Sequence, residues 1–165
     1  MDPVTVSTTI GRPREAVFDY LVDIANHLEF SDHYLKDFRL LRVESSGRGA
    51  GARYRITRPL RDMWEDMTFV EVERPYRIVA FGRGGKFNRI KTTRIYTLDE
   101  AGADATRVEV MTESEPPLPT DRLMETITGY RGWTRRKTGK ALRRLQSILE
   151  ENEDRGARAT VAGVL

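Results

Sequence analysis

The chain has 165 residues and a formal net charge of +3 from 28 basic and 25 acidic side chains, a length that suits one domain with its own core. It contains no cysteine, which excludes disulfides, thiolate nucleophiles, cysteine-ligated zinc and iron–sulfur clusters, and leads to the expectation of a reducing, cytoplasmic location. No stretch approaches the about 18 apolar residues of a membrane-spanning helix, and no basic-then-apolar leader precedes Val4, so neither a membrane span nor an export signal is expected.

Val4, Val6, Thr8 and Ile10 alternate with Thr5, Ser7 and Thr9, the period of a strand with one buried face. Gly11 ends it. Pro13 suits a first helical turn and Glu15 the positive end of its dipole, while Val17, Phe18, Leu21 and Val22 recur at helical spacing, so a short helix follows. A second short helix is expected over residues 24–30, with Ile24, Leu28 and Phe30 inward, up to the polar break Ser31-Asp32-His33.

Residues 38–45, 52–58, 63–73, 76–82, 89–98 and 106–113 read as successive strands. Turn chemistry separates them: Gly47, Gly49 and Gly51, then Arg74-Pro75, Gly82-Arg83-Gly84-Gly85 and Asp99-Glu100-Ala101-Gly102. Joins this short favour an antiparallel meander, because parallel crossovers need a dozen or more residues. Pro116, Pro117 and Pro119 stop the last strand, and Thr120 can cap a long helix whose inward face carries Leu123, Ile127, Tyr130, Thr134, Ala141, Leu145 and Ile148. Gly129, Gly132 and Gly139 weaken that helix, and a bend near Gly129–Gly132 is expected. Residues 4–151 then form a single domain, and residues 152–165, which lack periodicity, a mobile tail.

The fold class is thus α+β: a curved antiparallel sheet of about seven strands wrapped around one long C-terminal helix, with two short helices after the first strand. A sheet with one face to bury and one long helix to bury it must curl, leaving room for a ligand at the helix end.

Several segments carry a family resemblance. Residues 10–23, from Ile10-Gly11-Arg12-Pro13 through Val17-Phe18-Asp19-Tyr20 to Asp23, resemble the start of the SRPBCC superfamily, which includes START-like, polyketide cyclase/dehydrase-like and lipid-transport domains. Gly49-Ala50-Gly51-Ala52-Arg53-Tyr54 is similar to its glycine turn, Glu71-Val72-Glu73-Arg74-Pro75-Tyr76-Arg77-Ile78 to its strand–proline–strand corner, Thr106-Arg107-Val108 to its final strand, and Ala141-Leu142-Arg143-Arg144-Leu145 to the end of its closing helix. The segment Phe30-Ser31-Asp32-His33-Tyr34-Leu35 departs from the Trp-rich stretch common there. The resemblance implies a helix-grip fold around a ligand cavity; the superfamily hosts carriers, cyclases and hydrolase-like enzymes alike, so the fold does not fix the activity.

Cyclase-type chemistry needs an acid or base and a hydrogen-bond donor facing an apolar pocket. Tyr54, Glu65, Asp66, Arg94 and Tyr96 lie on expected strands; either they face the pocket, or the charged ones face solvent and the tyrosines are ordinary core. Glu65 and Asp66 are adjacent, so at most one of the two enters the cavity. His27 and His33, six apart, do not share a helical face, which argues against a metal site and for solvated or capping roles. Gly82-Arg83-Gly84-Gly85-Lys86 lacks the spacing of a phosphate loop. Arg131, Arg135, Arg136, Lys137, Lys140, Arg143 and Arg144, with no acidic residue among them, spread over the helix face opposite the apolar stripe, as a solvated face does, and nucleic-acid binding is not the preferred reading.

The expected function is binding or transport of a small apolar ligand, such as a lipid, isoprenoid, quinone or polyketide, in a cavity lined by Tyr54, Ile56, Met67, Phe69, Phe81, Tyr96, Val110, Leu123, Ile127 and Tyr130. No metal or cofactor is expected, and no catalytic residue is assigned. The alternatives are a polyketide cyclase/dehydratase-like or hydrolase-like enzyme using the same cavity, and a nucleic-acid or anionic-surface module using the basic helix. The chain is read as a monomer or a homodimer.

Overall fold

The computed structural model describes residues 1–164. Among them, seven strands form one antiparallel sheet: β1 Val4–Ile10, β2 Leu35–Leu40, β3 Gly51–Ile56, β4 Met63–Glu73, β5 Arg77–Gly84, β6 Ile90–Gly102 and β7 Ala105–Glu115. Their order across the sheet is β1-β7-β6-β5-β4-β3-β2. Five hairpin joins make the meander from β2 to β7, and β1 closes beside β7 with Val4 opposite Thr112 and Ile10 opposite Thr106.

The helices follow from their boundaries. α1, Arg14–Leu21, buries Val17, Phe18 and Leu21, the stripe read from the sequence. A 3₁₀ turn over Ile24–Asn26, capped by the Asp23 carboxylate accepting from the Ala25 amide at 3.1 Å, leads into α2, His27–Ser31. The long C-terminal helix is broken. α3 spans Pro119–Ile127 and α4 spans Tyr130–Glu151, and between them Gly129 sits at φ +60°, a left-handed conformation that ends one helix and re-aims the next.

The core lies between the concave face of the sheet and the inward side of α4, where Ala141, Leu142, Leu145 and Ile148 are buried, with α1 packing on β6 and β7. Several boundaries differ from the sequence reading. The strand expected at 38–45 is the shorter edge strand β2, irregular between Lys36 and Arg39, where Asp37 takes a positive φ. β5 runs through Gly82 to Gly84, so the turn read there begins only at Gly85. The segment read as a tail folds back: β8 Ala159–Thr160 pairs with β9 Gly163–Val164, Ala159 is buried, and Arg155 and Arg158 reach Glu29 and Asp23.

Candidate functional site

Side chains alternate along a strand, so each strand sends one row into the concave face. On β4 that row is Met63, Glu65, Met67 and Phe69; on β5, Ile78, Ala80, Gly82 and Gly84; on β7, Val108, Val110, Thr112 and Ser114. On β6 it is Ile90, Thr92, Arg94, Tyr96 and Leu98. α4 contributes Tyr130, Trp133, Thr134, Thr138, Ala141, Leu145 and Ile148. Four of these rows change character together. Phe69 and Met67 give way to Glu65, Leu98 and Tyr96 to Arg94 and Thr92, Val108 and Val110 to Thr112 and Ser114, and Ile148, Leu145 and Ala141 to Thr138 and Thr134. The polar ends belong together, since Arg94 lies directly opposite Thr112 and Thr92 opposite Ser114 in the ladder.

Glu65 is the centre of this polar end. It is 1% exposed, and its Oε2 accepts a hydrogen bond from the Tyr54 hydroxyl at 2.9 Å. Its Oε1 has no hydrogen-bond partner among the described residues, and neither do Thr112 Oγ1 and Thr134 Oγ1. The glycines of β5 explain how the carboxylate fits: a Cβ at Gly82 would stand 2.9 Å from Glu65 Oε1, and one at Gly84 only 2.6 Å from the Trp64 carbonyl oxygen. Asp66, on the convex side, lies 3.7 Å from Arg53.

A second group flanks Arg94 on the other side. The His27 ring Nε2 lies 2.7 Å from the Leu21 carbonyl oxygen, which can only accept, so Nε2 carries the proton and Nδ1 accepts from the Tyr96 hydroxyl at 3.4 Å. Burial pushes His27 down to about 4, which keeps it neutral at pH 7. Burial, reinforced by Glu65, holds the Tyr54 hydroxyl well above the ordinary tyrosine range, and burial also raises Tyr96 and takes Tyr130 up to about 12. All three therefore remain hydroxyl donors at neutral pH.

The interior holds little open space. One void of about 10 Å³ lies among Glu65, Arg94, Thr112, Thr134, Tyr130 and their neighbours, and another of about 10 Å³ among His27, Tyr54, Met67, Phe69, Arg94 and Tyr96. Each has room for about one water molecule. Outside them, a groove of about 420 Å³ opens between the β3–β4 loop, the β5–β6 loop and α3, floored by Met63, Trp64, Ile90 and Met124. Arg58, which lines the groove, holds its guanidinium 3.9 Å above the ring of Tyr130, which lines the inner void and is in turn stacked on Trp133 at 5.4 Å. α3 is tied over the groove by Ser114 donating to Glu125 at 2.7 Å and by Arg89 donating twice to Asp121, at 2.9 and 2.7 Å.

Of the residues read as cavity lining, Tyr54, Met67, Phe69 and Tyr96 surround one void and Ile56 and Tyr130 the other, while Val110 is buried core. Three are placed differently. Phe81 belongs to the convex row, out of phase with Ala80 and Gly82. Leu123 and Ile127 are 58% and 66% exposed, because the break at Gly129 rotates α3 away from the stripe they share with α4 in sequence. His27, read as solvated or capping, is buried at the site. Thr92, Thr112 and Thr138 carry no mark in the sequence reading, while Trp133, at the edge of the stripe, packs inward as a packing residue does; the signal for Thr138 is its i, i+4 spacing from Thr134 inside the buried stripe of α4. On α4's outer side Arg131, Arg135, Arg136, Lys140 and Arg143 are exposed, whereas Arg144 turns back to pair with Asp32.

No protein-family model matches the chain, and no curated protein matches it. Solved structures do. The KanY protein aligns with a TM-score of 0.72 at 14% identity, over 89% of this chain and 96% of its own. A START superfamily protein from Mycobacterium smegmatis aligns with a TM-score of 0.64 at 14% identity over the same shares, 89% and 96%. The major latex-like protein 151 of Panax ginseng gives 0.60 at 13% identity, again over 89% and 96%. With its seven-stranded antiparallel sheet curved over α4, the chain shares the helix-grip fold of the START superfamily and major latex-like structures.

Proposed function

We propose that the protein binds a small, largely apolar molecule with one oxygen-bearing end, such as a lipid, isoprenoid, quinone or polyketide. Its apolar body would occupy the groove beside α3, and its polar end would meet Glu65, Arg94, Thr112 and Thr134. One observation carries this reading: three buried polar atoms, Glu65 Oε1, Thr112 Oγ1 and Thr134 Oγ1, lack partners among the described residues and share one void with Arg94. Each unpaired buried group costs about 1–3 kcal/mol, and a ligand hydroxyl would donate to the Glu65 carboxylate and accept from the threonine donors. The groove volume of about 420 Å³ falls within the range of small-molecule sites. Binding requires Arg58 and Tyr130 to part, since one lines the groove and the other the void.

Trp133 lies beside the void and the only other tryptophan is Trp64, so a Trp64→Phe protein reports on the site alone. Titration with a fatty acid, a quinone and an aromatic polyketide should quench that emission for at least one of them, and Thr134→Val should weaken the effect. Native mass spectrometry with solvent extraction of the purified protein would identify a retained molecule. If nothing is retained and no probe changes Trp133, the reading fails.

The observation that favours a second reading, an enzyme of cyclase, dehydratase or hydrolase type, is the buried Glu65 carboxylate with a free oxygen beside the donors Tyr54 and Arg94. Glu65 would be the general base and Arg94 would polarise a carbonyl. We favour the carrier because His27, the one buried imidazole at the site, uses both ring nitrogens, on Leu21 and Tyr96, leaving none to relay a proton. Glu65→Gln separates the two: turnover abolished with binding retained marks an enzyme, whereas affinity equal or tighter with no turnover to lose marks a carrier.

A further inference from the structure

α3 is built the wrong way round for a helix packed on a soluble domain. Its buried residue is Glu125, while Leu123, Met124 and Ile127 face solvent, with Leu118 exposed just before it. The two hairpin tips that border the same groove repeat the pattern. Leu60, in the β3–β4 loop, is 80% exposed, and Phe87, in the β5–β6 loop, is 84% exposed. Both take left-handed backbone conformations, at φ +56° and +61°, where glycine or asparagine would relax the chain and leave a polar surface. Bulky apolar side chains at such positions are useful only for what they touch.

Cations border the apolar surface. Arg61 and Lys86 stand on the groove side, beside Leu60 and Met124, and neither has an acidic partner among the described residues. On α3's other flank, Arg122 and Arg131 share a cleft with Asp2, Glu113 and Glu115, so charge there is mixed. The outer face of α4 adds Arg135, Arg136, Lys140 and Arg143, unpaired with any acidic residue among the described residues, and these raise the positive potential without needing to make contact.

We propose that α3 and the tips at Leu60 and Phe87 dock on an anionic lipid bilayer surface, the apolar side chains entering the headgroup boundary and Arg61 and Lys86 meeting lipid phosphates and carboxylates. The combination selects this partner. A nucleic acid would satisfy the cations but leave six apolar side chains against a charged backbone. A second copy of this chain, packed face to face, would bring like charges together around the apolar patch. Apolar side chains flanked by cations are what an anionic membrane interface rewards. The docking is lateral, and no helix among the described residues is long and apolar enough to cross a membrane.

The test is flotation with phosphatidylcholine vesicles, with or without about a third phosphatidylserine. The wild-type chain should float with the anionic vesicles, much less with the neutral ones, and less as salt rises. Trp64, at the groove, should shift its emission to the blue on binding. Leu123→Ser/Ile127→Ser and Leu60→Ser/Phe87→Ser should each cut the affinity at least about tenfold, and Arg61→Gln/Lys86→Gln should remove the preference for anionic lipid. All six positions except Arg61 and Lys86 are apolar and every one lies outside the core, so an unchanged melting midpoint checks that each variant is folded. Failure to float with anionic vesicles would overturn the proposal. So would flotation undiminished in both serine pairs, or a wild-type dimer in light scattering that those pairs dissolve. The outcome is independent of the interior site, which the Trp133 titration reads separately.

Discussion

The two ends of the concave face stand on the same strands and the same helix, yet they follow opposite rules. At one end Phe18, Leu21, Phe69, Ile78, Leu98, Val108, Leu145 and Ile148 are almost fully buried and apolar. At the other, Glu65, Thr92, Thr112, Ser114, Thr134 and Thr138 are about as well buried but polar, and three of them hold atoms without partners among the described residues. Folding alone would extend the first pattern, because apolar burial stabilises and unpaired polar burial does not. The difference teaches where selection for stability stops on this surface.

The largest expected effect lies at the apolar end. Leu145→Ala should cost about 2–5 kcal/mol as a cavity-forming truncation, read as a shift of the urea midpoint. An unmoved midpoint would erase the distinction between the ends. The next is a pH effect at the boundary. Burial holds His27 at about 4 in the folded chain, against 6.5 for a free imidazole. On acidification the unfolded chain takes up that proton first, so the associated stability is complete above about pH 6.5 and drains as the pH falls to about 4, by about 3 kcal/mol. His33, lowered to about 4 by partial burial, acts in the same window and direction. Comparing urea midpoints at neutral and acidic pH, His27→Gln should show a shallower decline than the wild type; an equal slope would mean that His27 is not the buried neutral group described. The smallest effect has the opposite sign. Thr134→Val and Thr112→Val should leave stability unchanged or raise it by up to about 1 kcal/mol, since each removes a buried hydroxyl that lacks a partner. A loss beyond that from either would show that the hydroxyl serves the fold.

Much of the architecture was legible because burial on one side writes a period into the chain. Val4, Val6, Thr8 and Ile10 announce β1, and the short glycine- and proline-marked joins announce the meander. Adjacency alone limited Glu65 and Asp66 to one inward carboxylate, but which one depends on the register with Gly82 and Gly84, a relation between strands that one strand cannot express. Those alternate glycines were the available signal: glycine at every second position of a strand marks a close approach, not only a turn. α3 was misread because its apolar residues continue the helical period of α4; the bend expected near Gly129–Gly132 is a full break at a left-handed Gly129, and periodicity does not report that it turns the stripe of α3 outward. His27 reads as solvated or capping, and Thr92 and Thr112 carry no mark at all, because a buried polar residue has the same letter as a solvated one.

The glycine break gives α3 an energetic independence that a continuous helix would lack. Nine residues are too few to hold a helix by themselves, and this one is fixed mainly by polar contacts, the Met1 ammonium and the Ser114 hydroxyl with Glu125 and Arg89 with Asp121, rather than by buried apolar area. Its amides can therefore exchange with solvent by a local opening whose free energy is far below that of global unfolding. The sheet and α4 need not loosen for the groove to widen, and the rest of the domain keeps its full protection while it does.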